Sequence, residues 1–92
     1  MKKIVCFYLE SCPYCQMSIK AFKELQVENS AWKNISVEWI DEETLTPAEL
    51  ENFDYYYVPT IYVGEDKIYE ASPADDYNKI KSEVKKALKL AA

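Results

Sequence analysis

The sequence predicts a single α/β domain over residues 1–92, built as a mixed four-stranded sheet flanked by helices. Three observations support this prediction. The chain has 92 residues and one glycine, so it offers one small domain and no flexible linker. Short β-rich runs and helical patterns alternate in the order β-α-β-α-β-β-α. The first β-α-β unit implies two parallel strands with a right-handed crossover, and the later β-β pair implies an antiparallel hairpin.

The first half of the chain contains the predicted parallel unit. Residues 3–8 form a short apolar run that predicts a buried strand. Pro13 then begins a helix that extends to about Val27, because apolar residues recur there at helical spacing. Residues 35–40 alternate and predict the second strand, which the acidic loop 41–43 follows. The apolar stripe of the helix comprises Ile19, Ala21, Phe22 and Leu25.

The second half contains a short helix and the hairpin. Thr46 and Glu49 match a capping box with a proline at the first helical position, which predicts a helix start. Residues 59–63 and 67–70 predict the third and fourth strands, and the turn 64–66 joins them as a hairpin.

The last helix is predicted from a second capping pattern. Ser72 and Asp75 repeat the spacing of a capping box, so we expect the helix to start there. Lysines near its C-terminal end suit the helix dipole. Its apolar stripe comprises Tyr77, Ile80, Val84 and Leu88.

The composition excludes several classes of function. The chain has 11 lysines, no arginine, no histidine and a net charge of −5. Without histidine there is no Ser-His-Asp or Cys-His catalysis and no His-ligated zinc. A net acidic chain without arginine is a poor nucleic-acid binder, and no apolar run approaches the ~18 residues of a membrane span. Because Glu10 soon follows the apolar start and no cleavage site is present, we expect no signal peptide and a cytoplasmic location. We also expect the protein to be a monomer.

Cys12 and Cys15 follow the first predicted strand and begin the first predicted helix. A C-x-x-C at this point of a β-α-β unit is typical of a dithiol redox site. Cys12 falls at the N-cap, where N–H groups of the first turn lack helical partners and can donate to a thiolate. We therefore expect Cys12 to be the nucleophile and Cys15 the resolving cysteine. Pro13 needs no N–H at the first helical position and stiffens the turn.

Two other interpretations of the cysteines remain open. Cys12 and Cys15 are either ordinary small apolar residues or half of a metal site. A zinc site needs two more good ligands, and only Cys6 and carboxylates are available, so we expect no metal and no permanently bound cofactor. Cys6 lies within the first strand and is predicted to be a small buried core residue.

The motif Cys12-Pro13-Tyr14-Cys15, with Val58-Pro59 later in the chain, resembles the dithiol glutaredoxins. The resemblance covers nearly the whole chain and implies the thioredoxin-like fold, whose element order matches the one predicted above. It implies an oxidoreductase that reduces protein disulfides or glutathione mixed disulfides, with glutathione as the reductant. Pro13 and Tyr14 would then shape the site between the two cysteines.

The resemblance also assigns residues outside the cysteine motif. It implies that the Val58–Pro59 bond is cis, and that Val58 pairs through its backbone with a peptide or with glutathione. Asp75 and Asp76 resemble the acidic pair that, with the start of the last helix, holds the γ-glutamyl end of glutathione. Helix capping explains these two aspartates equally well.

Several positions depart from the glutaredoxin pattern. Family members commonly carry a lysine where this chain has Leu9, and a basic residue or glutamine just before Val-Pro, where it has residues 54–57. Glutathione carries two carboxylates, so the missing cations favour an alternative electron donor, a flavoprotein reductase. Tyrosines favour a protein disulfide as partner, and we expect at least two of them near the site: Tyr14, Tyr55, Tyr56 and Tyr57.

Two alternatives belong to other classes of protein. One is a dimer that bridges an iron–sulfur cluster through Cys12 and glutathione, which Pro13 disfavours because related cluster binders have a smaller residue there. The other is a non-catalytic interaction domain, for which Cys12 would be dispensable.

Overall fold

The computed structural model describes residues 2–92 and contains the seven predicted elements in the predicted order. Two short 3-10 helices, Ser30–Trp32 and Glu42–Thr44, flank the second strand; the latter replaces the predicted loop. Within residues 2–92 no helix has the length and apolarity to cross a membrane. The strands are β1 (Ile4–Tyr8), β2 (Val37–Asp41), β3 (Thr60–Val63) and β4 (Asp66–Glu70), and the helices are α1 (Pro13–Glu28), α2 (Pro47–Leu50) and α3 (Tyr77–Ala91).

The four strands form one mixed sheet in the order β2-β1-β3-β4. β1 and β2 are parallel, with Ile4 opposite Val37 and Tyr8 opposite Asp41. β3 runs antiparallel to both β1 and β4, as a hairpin requires. The ends of β1, β2 and β4 and the start of β3 therefore lie at one edge of the sheet, where β1 leads into the cysteine motif.

One face of the sheet is covered by α1 and α3, which pack against each other. Ile4, Cys6 and Ile61 point from the strands into this core and are fully buried. The stripe of α3 is buried as predicted at Ile80, Val84 and Leu88, while Tyr77 is half-buried. In α1 the buried residues include Phe22 and Leu25, whereas Ile19 is only half-buried. Burial of these apolar side chains supplies the main driving force for folding.

The other face of the sheet is covered without a long helix. Phe7 is fully buried there. Its ring centroid lies 4.6 Å from that of Phe53, 5.0 Å from that of Tyr55 and 5.9 Å from that of Tyr62. Phe53 and Tyr55 belong to the segment after α2, so aromatic packing holds this segment against the sheet.

The predicted start of the last helix is wrong. α3 begins at Tyr77, and its N-cap is Asp76, whose carboxylate accepts a hydrogen bond from the Lys79 amide at 2.8 Å. Ser72 and Asp75 form a separate turn, in which the Asp75 carboxylate accepts from the Ser72 amide at 3.0 Å. The Tyr69 hydroxyl also donates to Asp75, which fixes this carboxylate to the end of β4 rather than to the helix. At α2 the predicted capping box of Thr46 and Glu49 is present.

Candidate active site

Cys12 is the N-cap residue of α1, as predicted, and Pro13 occupies the first turn. The extended backbone at Cys12 turns its side chain back over the start of the helix. The amide of Cys15 donates a hydrogen bond to Cys12 Sγ at 3.3 Å. This N–H is one of those that the first turn leaves without a helical partner. A Cys12 thiolate at this position therefore receives a hydrogen bond and the positive end of the helix dipole.

The two thiols of the motif differ in exposure. Cys12 is partly exposed, whereas Cys15 is fully buried, and both are free thiols. Burial raises the pKa of Cys15, and the adjacent Cys12 sulfur raises it further. The fully buried Cys6 lies in the core, as predicted, and burial raises its pKa too. Among these three thiols, Cys12 alone reaches solvent and can meet a substrate.

The segment before β3 lies beside Cys12. The Val58–Pro59 peptide bond is cis, which is the isomer that the resemblance implied. Cys12 Sγ lies 3.6 Å from the carbonyl oxygen of Val58, to which its S–H group donates. Pro59 is buried, while Val58 is half-buried. The backbone of Val58 thus forms one wall of the site.

Glu70, at the end of β4, holds this segment in place. Its Oε2 accepts hydrogen bonds from the amides of Tyr56 at 2.9 Å and Tyr57 at 3.0 Å. Its Oε1 pairs with Lys67 Nζ at 2.9 Å, and the same ammonium donates to the Asp54 carbonyl. Burial acts to raise the pKa of Glu70, but the two amides and the ammonium outweigh it and hold the pKa below its ordinary value. This role could not be predicted from the sequence, because the two amides lie 13 and 14 residues away from Glu70 in the chain.

We expect Glu70→Gln to lower the free energy of unfolding by about 1–3 kcal/mol, because the variant loses a charged acceptor of two amides and an ion pair. The depressed pKa of Glu70 also predicts a pH dependence. Its contribution is complete above the ordinary carboxyl pKa and is lost as the pH falls through the lower, folded-state value. Urea unfolding between neutral and acidic pH measures both effects.

Glu65→Gln in the β3–β4 turn is the control, since Glu65 is exposed at the opposite edge of the sheet. Equal unfolding free energies for Glu70→Gln and Glu65→Gln across this pH range would contradict the role of Glu70.

Tyr14 joins the cysteine motif to a third loop. Its hydroxyl donates to the carbonyl oxygen of Pro73 at 2.8 Å. The amide of Cys12 donates to the Leu9 carbonyl at 3.1 Å. With the bond from Cys12 Sγ to Val58, the motif thus donates hydrogen bonds to three backbone carbonyl groups. One is that of Leu9, in the loop that leads into the motif, and the others are those of Val58 and Pro73, in two neighbouring loops. Asp75 and Asp76 belong to the same Pro73 loop, but their carboxylates already bind the Ser72 and Lys79 amides.

The predicted group of tyrosines is divided between two surfaces. Tyr56 and Tyr57 are 88% and 56% exposed and adjoin Val58. Tyr14 is half-buried within the motif. Tyr55 turns instead to the far face of the sheet, where it packs on Phe7 and its buried hydroxyl has no hydrogen-bond partner among the described residues. Three of the four predicted tyrosines thus belong either to the cysteine motif or to the segment that ends at Val58.

The chain was compared with known proteins. No protein-family model matches the sequence, and no curated protein matches it significantly. Among solved structures, thioredoxin 1 from the thermophilic eubacterium Thermosipho africanus TCF52B is similar, with a TM-score of 0.58 and 18% identity. The match covers 97% of this chain and 97% of that chain. The fold is therefore thioredoxin-like, as the sequence predicts, while the glutaredoxin subtype stays a prediction.

Proposed function

We propose that this protein is a thiol–disulfide oxidoreductase that reduces disulfides with the dithiol of Cys12 and Cys15. The observation that carries the proposal is the hydrogen bond from the Cys15 amide to Cys12 Sγ at the start of α1. A sulfur that is partly exposed, and that receives a helix N–H group, has the environment of a reactive cysteine. The buried Cys15, one turn further in, is placed to be the resolving thiol.

The proposed reaction has two exchange steps. The Cys12 thiolate attacks one sulfur of the substrate disulfide, the S–S bond breaks, and the other sulfur leaves as a thiolate. Cys15 gives its proton to that thiolate and attacks Cys12 Sγ, which releases the second substrate thiolate. The substrate gains two electrons, and the protein is left with a Cys12–Cys15 disulfide. An external dithiol or thiol donor must then return two electrons.

Two electron donors remain candidates, glutathione and a flavoprotein reductase. A specific feature favours the reductase: no lysine occurs in the loop segments 9–12, 42–59 and 71–76, which begin or end at the cysteine end of the sheet. Glutathione has two carboxylates that need cations or free N–H donors. The Asp76 carboxylate also accepts a hydrogen bond from the Lys79 amide in the first turn of α3, so this amide is not free to bind a glutathione carboxylate.

The test is a side-by-side assay of the oxidised protein. One arm supplies reduced glutathione, glutathione reductase and NADPH, and the other supplies thioredoxin reductase and NADPH. We expect NADPH oxidation in the second arm and little in the first. Rapid turnover in the glutathione arm would instead support the glutaredoxin alternative, and no reduction by either donor or by dithiothreitol would contradict the proposal. The absorbance spectrum of anaerobically purified protein tests the cluster-binding alternative.

A simpler prediction concerns thiol reactivity. At neutral pH we expect iodoacetamide to alkylate Cys12 at least about tenfold faster than Cys15 or Cys6, because alkylation needs an exposed thiolate. Both other thiols are fully buried, and burial raises the pKa of each. Peptide mapping by mass spectrometry after timed quenching measures the three rates. Equal rates in the native protein would contradict the assigned roles, and unfolding in urea is the control that should equalise them.

A further inference from the structure

The charges of this chain are unevenly placed around the sheet. The loop segments 9–12, 42–59 and 71–76 begin or end at the cysteine end of the sheet, and together they contain eight acidic residues and no lysine. Within segment 42–59, Asn52 and Phe53 reach across the sheet to line a groove with Glu65. The 11 lysines lie near the N-terminus, in and just after α1, in β4 and in α3. Surface charges of one sign around a cleft concentrate ligands of the opposite sign.

Two lysines near the cysteine end form ion pairs with glutamates of the same chain. Lys67 pairs with Glu70 at 2.9 Å, and Lys79 pairs with Glu83 at 3.0 Å. Lys20 lies over the ring of Tyr77, and Lys23, further along α1, lines the same groove as Glu10. Glu10 and Asp54 are exposed, and neither carboxylate has a hydrogen bond or an ion pair with the other residues described. Both carboxylates are therefore accessible to a substrate, although the Asp54 charge also interacts with the nearby Lys67 ammonium.

The segment that ends at Val58 forms one wall of the site, and it has backbone groups and side chains that are free to contact a substrate. The Val58 carbonyl accepts only the Cys12 S–H group, and the Val58 amide has no hydrogen bond within residues 2–92. Tyr56 and Tyr57, on the same segment, are two of the four exposed large apolar side chains among residues 2–92. Exposed tyrosine rings bind cationic side chains over their faces.

We propose that the preferred substrate is a protein disulfide whose cysteine is flanked by lysine or arginine residues in an extended segment. The segment pairs with the backbone of Val58, and its cationic side chains lie against the rings of Tyr56 and Tyr57 and near the carboxylates of Glu10 and Asp54. This inference rests on the proposed function, because it names the substrate class of the same cysteine pair. It also explains the mismatch with glutathione, whose two carboxylates would meet carboxylates here.

The test uses three peptide disulfides that differ only at the residues flanking the cysteine, which are lysine, glutamine or glutamate. The second-order rate constant of each with the reduced protein is measured by rapid quenching at low and at high salt. We expect the lysine peptide to react at least about tenfold faster than the glutamate peptide at low salt, because electrostatic steering changes association rates by about 10–10³-fold. Screening at about 1 M salt should reduce this ratio to about twofold or less.

Matched variants assign the preference to the site. The double variant Glu10→Gln, Asp54→Asn should lower the ratio by about threefold or more. The control double variant Glu65→Gln, Asp66→Asn removes the same charge at the opposite edge of the sheet and should leave the ratio unchanged. Equal rates for the three peptides, or equal effects of the two double variants, would overturn the inference while the proposed function stands. No reaction with any peptide, including the neutral one, would overturn the proposed function itself.

Discussion

Replacing Cys12 with serine should lower the rate of disulfide reduction by at least about 10³-fold. The reaction needs a thiolate at the start of α1, and a serine hydroxyl does not ionise near neutral pH. The fold should persist, because Cys12 is partly exposed and serine is a favoured N-cap residue. Circular dichroism and thermal unfolding verify the fold, and a dithiothreitol-coupled turnover assay with a peptide disulfide measures the loss.

The neighbouring variant separates the two roles. Cys15→Ser retains the nucleophile and loses the resolving thiol, so we expect it to accumulate a mixed disulfide with the substrate. Mass spectrometry under non-reducing conditions detects this adduct. Cys6→Ala is the control, and it should keep the activity because Cys6 lies in the core. Turnover by Cys12→Ser at a rate close to that of the wild-type protein would contradict the assignment and favour the non-catalytic alternative.

The largest expected effect on stability comes from Phe7→Ala. Phe7 is fully buried under three aromatic rings, and truncation of such a side chain costs about 3–5 kcal/mol. For a domain of this size each kcal/mol corresponds to about 4–8 °C in the melting temperature. We therefore expect the melting temperature to fall by at least about 12 °C, as measured by calorimetry or circular dichroism.

Val27→Ala provides the matched control. Val27 is 85% exposed on α1, so its truncation should change the free energy of unfolding by no more than about 0.5 kcal/mol. A loss below about 1 kcal/mol for Phe7→Ala would mean that the segment after α2 is not packed on the sheet.

The sequence was sufficient for much of the fold, because each element carries its own local pattern. The capping box of Thr46 and Glu49 involves residues three apart, so its geometry is set locally. The start of α3 could not be predicted from the sequence, because Asp75 and Asp76 are both capable of capping a helix. The choice between them depends on the Tyr69 hydroxyl, which belongs to β4 and draws Asp75 away.

The same distinction applies to the site. The places of Cys12 and Cys15 follow from a strand and a helix that are adjacent in sequence. The role of Glu70 does not follow from neighbouring elements, because this role depends on how β4 lies beside the segment that precedes β3. The direction of Tyr55 likewise depends on a packing partner, Phe7, that is distant in the chain.

The contacts of the cysteine motif with its three loops have a consequence for the design of new specificities. The motif meets these loops through the carbonyl oxygens of Leu9, Val58 and Pro73. A main-chain oxygen is supplied by every residue type, so these contacts do not require particular side chains in the loops. The loops can therefore be recoded, for example with lysine at residue 10 or residue 54, while the geometry of the thiols is preserved. In this small domain, the loop side chains that contact a substrate can thus be changed separately from the thiols that react with it.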